Sequence, residues 1–222
     1  MKRFNSLLFS IPIVALISVN TSSCSSEKKS AESVSETVES VSDEELVLVE
    51  TGVQQLADWV QFWKSNASTF NPSLFTLERV EDFEVLEWPE ENPIGPNSPL
   101  FSYLLPQPEG EGTVDIYSYK VFIPAEGKPG FNPDSEVIYF KENGLRERLL
   151  FIGPSGGFED AIWVSPDHLL VAGFFEEERG TTPKIWLIDT ELKQYSVFKH
   201  PLYTTNYAKD GYLRKKLSNI DF

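Results

Sequence analysis

The chain reads as a mainly β protein, an antiparallel meander of hairpins with one N-terminal helix and a short C-terminal helix. Three observations predict this. Phe, Tyr and Trp make up 13% of the 222 residues, and aromatic rings favour pleated, half-buried surfaces. Beyond Gly112, short aromatic and β-branched runs alternate with turn signals at intervals of roughly eight to twelve residues. Upstream of that region, one stretch starting at Thr51 shows helical periodicity instead. A hydrophobic fraction of 41% supports a real core. One core can serve a domain of this size, so a single domain over residues 46–222 is expected.

The N-terminus carries a different signal. Lys2 and Arg3 precede an apolar run from Leu7 to Val19, which ends in Asn20-Thr21-Ser22-Ser23. A bilayer span needs about 20 apolar residues, so the run fits the h-region of a cleaved signal over residues 1–23. The residues Thr21-Ser22-Ser23-Cys24 resemble the lipobox of bacterial lipoproteins, with Thr21 standing where Leu is usual. The resemblance implies a diacylglyceryl group on Cys24, which would become the new N-terminus and hold the protein on the inner or outer membrane of the cell envelope. The domain would then be periplasmic or extracellular. Cys24 is the chain's one cysteine, so no internal disulfide and no Cys-based zinc or redox pair can form. The rival reading is an ordinary secretory signal followed by an accidental cysteine. Residues 24–45 are rich in Ser and Glu, with isolated valines, and predict a disordered tether. Val34, Val38 and Val41 fall at helical spacing, which makes an amphipathic helix the competing reading.

Within the domain, Val53, Leu56, Ala57, Val60 and Trp63 share one helical face, while Gln54, Gln55, Asp58 and Gln61 lie opposite. This predicts one helix of about 14 residues ending near Asn66. Strands are expected near Phe83–Trp88 and Leu100–Leu105, separated by the loop Pro89–Pro99, whose prolines remove donors. Further strands are expected at 114–123, 136–140, 147–152, 158–164, 168–175, 184–189 and 194–199. The turns between them include Glu142-Asn143-Gly144, Gly153-Pro154-Ser155-Gly156-Gly157, Ser165-Pro166-Asp167, Arg179-Gly180 and Asp189-Thr190-Glu191. Residues 207–217 predict the closing helix.

Residues 158–200 resemble one blade of a β-propeller, carried by the 158–164 strand, the Ser165-Pro166-Asp167 turn and the strands meeting at Asp189-Thr190-Glu191. Residues 136–152 resemble the outer half of a preceding blade. The resemblance implies blade-like hairpins, but a closed propeller needs at least four blades of about 40 residues, and this chain has room for two. Its sheet edges would need cover from the helix and the proline-rich segment.

Composition excludes more than it assigns. The net charge is −15, and −17 from Cys24 onward once Lys2 and Arg3 are removed. Such a surface repels phosphate backbones and anionic headgroups, which argues against nucleic acid as a partner. With two histidines, His168 and His200, a multi-histidine metal centre is out of reach, and no cofactor motif is present.

Residues 153–157 match the Gly-x-Ser-x-Gly nucleophile elbow, with Asp160, Asp167 and His168 following in hydrolase order, so Ser155 is the candidate nucleophile of an envelope hydrolase. Against it, the elbow must open a helix, whereas residues 158–164 read as a strand. A glycosidase carboxylate pair is also conceivable, although sequence cannot say which acids would form it. Glu176-Glu177-Glu178 and Glu191 could cluster around calcium or form solvated tips. Trp59, Trp63, Trp88, Trp163 and Trp186 could include a sugar-stacking platform, with core the competing role. Lys209, Arg214, Lys215 and Lys216 form a solvated helix face or a partner-docking one. The preferred reading is a non-enzymatic, lipid-anchored envelope protein whose β-rich domain binds a protein or glycan partner.

Overall fold

The computed structural model describes residues 42–222. The expectations about the signal at 1–23, lipidation of Cys24 and most of the tether lie outside the described residues. Among the described residues no helix is long and apolar enough to cross a membrane.

Helix α1 (Asp43–Gln55) begins inside the stretch assigned to the tether. Its start is chemically specified. The Ser42 side chain accepts from the Glu45 amide while Glu45 reaches back to the Ser42 amide, and Asp43, Glu44 and Glu45 put negative charge on the first turn. The expected single helix is in fact two. Leu56, with φ −82° and ψ 48°, caps α1 and opens α2 (Ala57–Asn66). Backbone hydrogen bonds run on across it, from the Leu56 amide to Gly52 O and from the Val60 amide to Leu56 O. The kink turns Trp59 and Trp63 fully into the core. Burying rings of this size stabilises the docked helix by about 4–6 kcal/mol each before entropy is counted.

Twelve strands follow: β1 (Thr76–Asp82), β2 (Glu87–Pro89), β3 (Leu105–Pro106), β4 (Gly112–Asp115), β5 (Val121–Phe122), β6 (Gly130–Phe131), β7 (Ser135–Lys141), β8 (Leu145–Ile152), β9 (Gly156–Trp163), β10 (His168–Glu177), β11 (Gly180–Asp189) and β12 (Gln194–Lys199). Helix α3 (Gly211–Lys216) closes the chain. The fold is mainly β and antiparallel, as expected. Sheet A has the order β1-β12-β11-β10-β9, sheet B the order β2-β8-β7-β4-β3, and β5-β6 form a small hairpin. Each large sheet is thus a four-strand meander with one upstream strand added beside its last member.

The helices cover a face of sheet A, not its edge. A Cβ on Gly52 of α1 would lie 2.6 Å from Leu170 Cδ1 of β10, so helix and sheet are in direct contact. The opposite face carries Phe158, Trp186 and Val197, and together with Leu150 and Ile152 of β8 they line a small space of about 280 Å³ between the sheets. The molecule is therefore layered as helices, sheet A and sheet B over one continuous core.

Some boundaries differ from expectation. The expected strand at 83–88 is replaced by β1 and β2 on either side of a link between the sheets. The expected strand at 100–105 is a 3₁₀ turn, Phe101–Tyr103, followed by two-residue β3. The expected strand at 114–123 breaks after Asp115, whose carboxylate accepts from the Tyr117 and Ser118 amides and so bends the chain. Between β9 and β10 the register steps from Gly173↔Phe158 to Ala172↔Asp160, leaving Glu159 as the extra residue of a bulge. Only glycine fits at 173, where a Cβ would sit 2.0 Å from Gly157 O.

Candidate functional site

Four hairpin turns, two from each sheet, meet at one end of the molecule: β3–β4, β7–β8, β9–β10 and β11–β12. They enclose a cavity of about 510 Å³ lined by residues of all four, including Gln107, Glu142, Asp167 and Thr190. Loops presented by rigid strands are where binding sites concentrate.

The turns are braced against one another. Buried Gln107 accepts from the Glu109 and Glu111 amides, shaping the β3–β4 turn, and its Nε2 donates to Pro166 O of the β9–β10 turn at 3.0 Å. The Thr190 amide and hydroxyl, in the β11–β12 turn, both donate to Asp167 O, at 2.9 and 3.0 Å. Asp189 Oδ1 caps that same turn through the Glu191 and Leu192 amides.

The floor is an ion-pair cluster. Glu147 of β8 has no exposed surface. Lys193 Nζ donates to its two oxygens at 3.0 and 3.2 Å, and Lys141 Nζ lies 2.6 Å from Oε2 while also binding Glu87. Burial pulls the Lys141 pKa down, but its bonds to Glu147 and Glu87 more than offset this and raise it. Lys193 is the one non-glycine residue with left-handed backbone among those described, at φ 58°. That conformation costs on the order of 1 kcal/mol for a side chain without glycine's freedom. Beside the lysines, Tyr139 is 5% exposed. Burial, with Glu111 adding, pushes its hydroxyl up to about 12.

A second polar cluster lies in the core. Glu159, in the bulge, is fully buried and receives Trp59 Nε1 at 2.8 Å and the Tyr207 hydroxyl, while Tyr117 donates to its carbonyl at 3.0 Å. Burial raises its pKa to about 8, against the opposing pull of Tyr207, Trp59 and Trp63. The Trp63 indole N–H points into this knot and is felt by the carboxyl, yet it lies outside hydrogen-bond geometry and stays unpaired. Neighbouring Asp160 accepts from the Tyr212 hydroxyl, and its two oxygens accept from Lys216 Nζ at 2.9 and 2.8 Å. The pair fastens α2 and α3 to β9.

The Ser155 constellation is not assembled. Ser155 sits in the β8–β9 turn, which opens a strand and not a helix, and its carbonyl accepts from the Glu176 amide at the far end of β10 from His168. Eight strand residues at about 3.3 Å each separate serine from histidine by roughly 25 Å. Asp160 is held by Tyr212 and Lys216, and Asp167 faces the four-turn cavity. His168 instead contacts Ser165 Oγ through Nδ1 at 2.9 Å and Asp189 through Nε2 at 3.5 Å. The Ser165 hydroxyl also accepts the His168 amide at 3.1 Å, so this trio closes a turn and clasps β10 to β11. It borders a separate cavity of about 430 Å³ beneath α1.

The remaining candidates disperse. Glu176 pairs with Lys209 and Glu177 accepts from Tyr203. Glu191 is at the other end of ten-residue β11, so the acids do not cluster. Among the described residues no three His, Cys, Asp or Glu side chains could share a metal ion. Trp59, Trp63 and Trp186 are core, Trp163 packs on Tyr139, and Trp88 is covered by Arg146 at 4.4 Å. The basic cluster is consumed by Glu176, Asp58, Asp160 and the rings of Phe131 and Phe222. The four-turn cavity and its Lys141–Glu147–Lys193 floor went unseen in the sequence. No family model, curated protein or solved structure matches this chain.

Proposed function

We propose that this chain is a bacterial cell-envelope lipoprotein, held on a membrane through acyl groups on Cys24, whose β-rich domain is a non-enzymatic binding module for a protein or glycan partner. The observation that supports binding is the meeting of four cross-braced turns around one cavity, which is a pre-shaped recognition surface. The anchor rests on the apolar run before Thr21-Ser22-Ser23-Cys24. Two or three acyl chains, each methylene contributing about 0.8 kcal/mol on burial, hold such a protein firmly. The hydrolase reading gains no support from geometry that puts Ser155 and His168 at opposite ends of β10.

Mass spectrometry of the mature chain tests the anchor. The expected product begins at Cys24 and carries acyl mass on it; an unmodified thiol, or a start elsewhere, removes the membrane from the proposal. Labelling with a fluorophosphonate tests the division of roles, and modification of Ser155 would replace a binder with an enzyme.

A further inference from the structure

Each of the four turns contributes one exposed acid to the cavity: Glu111, Glu142, Asp167 and Glu191. Among the described residues, none of these carboxylates forms an ion pair or accepts a side-chain or backbone hydrogen bond, although several of their backbone groups do. The cavity's two cations do not compensate them. Lys141 and Lys193 are turned to the floor, where Glu147 and Glu87 take up their charge. The rim is therefore strongly negative over a floor that is already neutralised.

Tyr139 is an independent pointer to a ligand. Its ring is 5% exposed and lines the cavity, yet its hydroxyl has no hydrogen-bond partner among the described residues. A phenol on so covered a ring usually finds one, and this hydroxyl is not itself closed off from solvent. Here the open side of that hydroxyl is the cavity.

A metal ion does not fit the arrangement, because no three acids among the described residues stand close enough to share one. What fits carboxylates spread around a mouth of about 510 Å³ is a cation with length. We infer that the four-turn cavity binds an extended alkylammonium group, with its ammonium ends on the rim acids and a polar atom on the Tyr139 hydroxyl. Free polyamines and lysine side chains of a basic peptide offer the same chemistry. This rests on the reading of the domain as a binding module and names its ligand class; it does not depend on the lipid at Cys24.

Titration calorimetry on the full chain with spermidine and with trilysine, each at low and physiological salt, tests it. The expected result is saturable binding of at least one probe. Tyr139→Phe should weaken it several-fold, and Glu142→Gln with Asp167→Asn more than tenfold. Glu126→Gln with Glu178→Gln, acids away from the cavity, should leave it unchanged. All five substitutions except the one at Tyr139 are on exposed tips, and Tyr139→Phe keeps the buried ring, so unaltered thermal unfolding serves as the folding control. Spermidine alone binding identifies a free polyamine as the source, and trilysine alone a peptide. Failure of both probes to saturate, equal losses in the remote pair, or tighter site-dependent binding of magnesium would overturn the inference. An acylated Cys24 in the same preparation would leave the anchor standing.

Discussion

Glu147 and Glu159 are both carboxyls with no exposed surface, set in neighbouring strands β8 and β9, yet the protein treats them in opposite ways. Glu147 has two ammonium groups within 3.2 Å and lies beneath a cavity. Glu159 has no cation, only phenol and indole donors, and burial raises its pKa to about 8. Taking a carboxylate out of water costs several kcal/mol unless a countercharge or a proton offsets it. One acid is gripped by two ammonium groups beneath a rim, whereas the other takes a proton at neutral pH and fastens helices to a sheet. The difference teaches that burial alone does not fix a carboxyl's role here; the donors packed against it do.

The strongest way to break this comparison is to strip Glu147 of its cations. Lys141→Met with Lys193→Met leaves a buried carboxylate uncompensated, and a loss of about 3–5 kcal/mol in denaturant unfolding is expected. Adding Glu147→Met to that pair should return much of the loss, because a matched apolar trio has no charge to desolvate. If the double variant were as stable as the parent, Glu147 would have to be reached by water or by its own proton.

At Glu159 the expected effects are smaller. Tyr207→Phe removes one hydroxyl and no volume of ring, so it should cost about 1–3 kcal/mol as part of the Glu159 carboxyl loses its partner. The pH dependence is the sharper measurement. A carboxyl whose folded pKa is about 8, against an ordinary 4.5, contributes stability that is complete below about 4.5 and lost as pH rises through about 8. His200 works the other way. Burial lowers its pKa despite the Asn71 carbonyl, and its neutral Nδ1 accepts the Leu202 amide at 3.0 Å. Its contribution is present above the ordinary value of 6.5 and is lost as pH falls below it. The two oppose each other in mild acid, and between about pH 6.5 and 8 only the Glu159 slope remains. Stability should fall there by at most about 2 kcal/mol, and Glu159→Gln should flatten that limb in urea titrations at several pH values.

The strands of both sheets were legible where alternation ran between explicit turns, as in β7 to β12. Pro183 hid the first part of β11, since proline argues against a central strand. It is tolerated because the ladder to β12 begins only at Lys184↔Lys199 and that side pairs again at Thr181↔Thr204, which leaves Pro183 in the gap between the two. Residues 114–123 misled in the other direction. Their aromatic run looks like a strand, but Asp115 and Ser118 offer the backbone a side-chain alternative, and that local competition was readable. The kink at Leu56 carries no proline or glycine and had no such signal. The site was illegible for a plainer reason. Lys193 and Glu147 stand 46 positions apart and meet through the packing of two sheets. The Ser155 match was legible and empty, because a five-residue pattern does not specify whether a strand or a helix follows.

Lys193 gives the smallest expected effect and separates its two properties. Lys193→Gly removes a left-handed side chain, which should gain on the order of 1 kcal/mol, and removes one of two ammonium groups from Glu147. Lys141 remains 2.6 Å from the carboxylate, so the net change should be under about 1 kcal/mol. In a Lys141→Met background the same substitution deletes the last cation and should cost several times more. That non-additivity is the signature of one shared carboxylate, and a double-mutant cycle reads it directly. Additive losses would mean that the two lysines act on separate partners. Glu147 would then be no more a charged hub than Glu159 is.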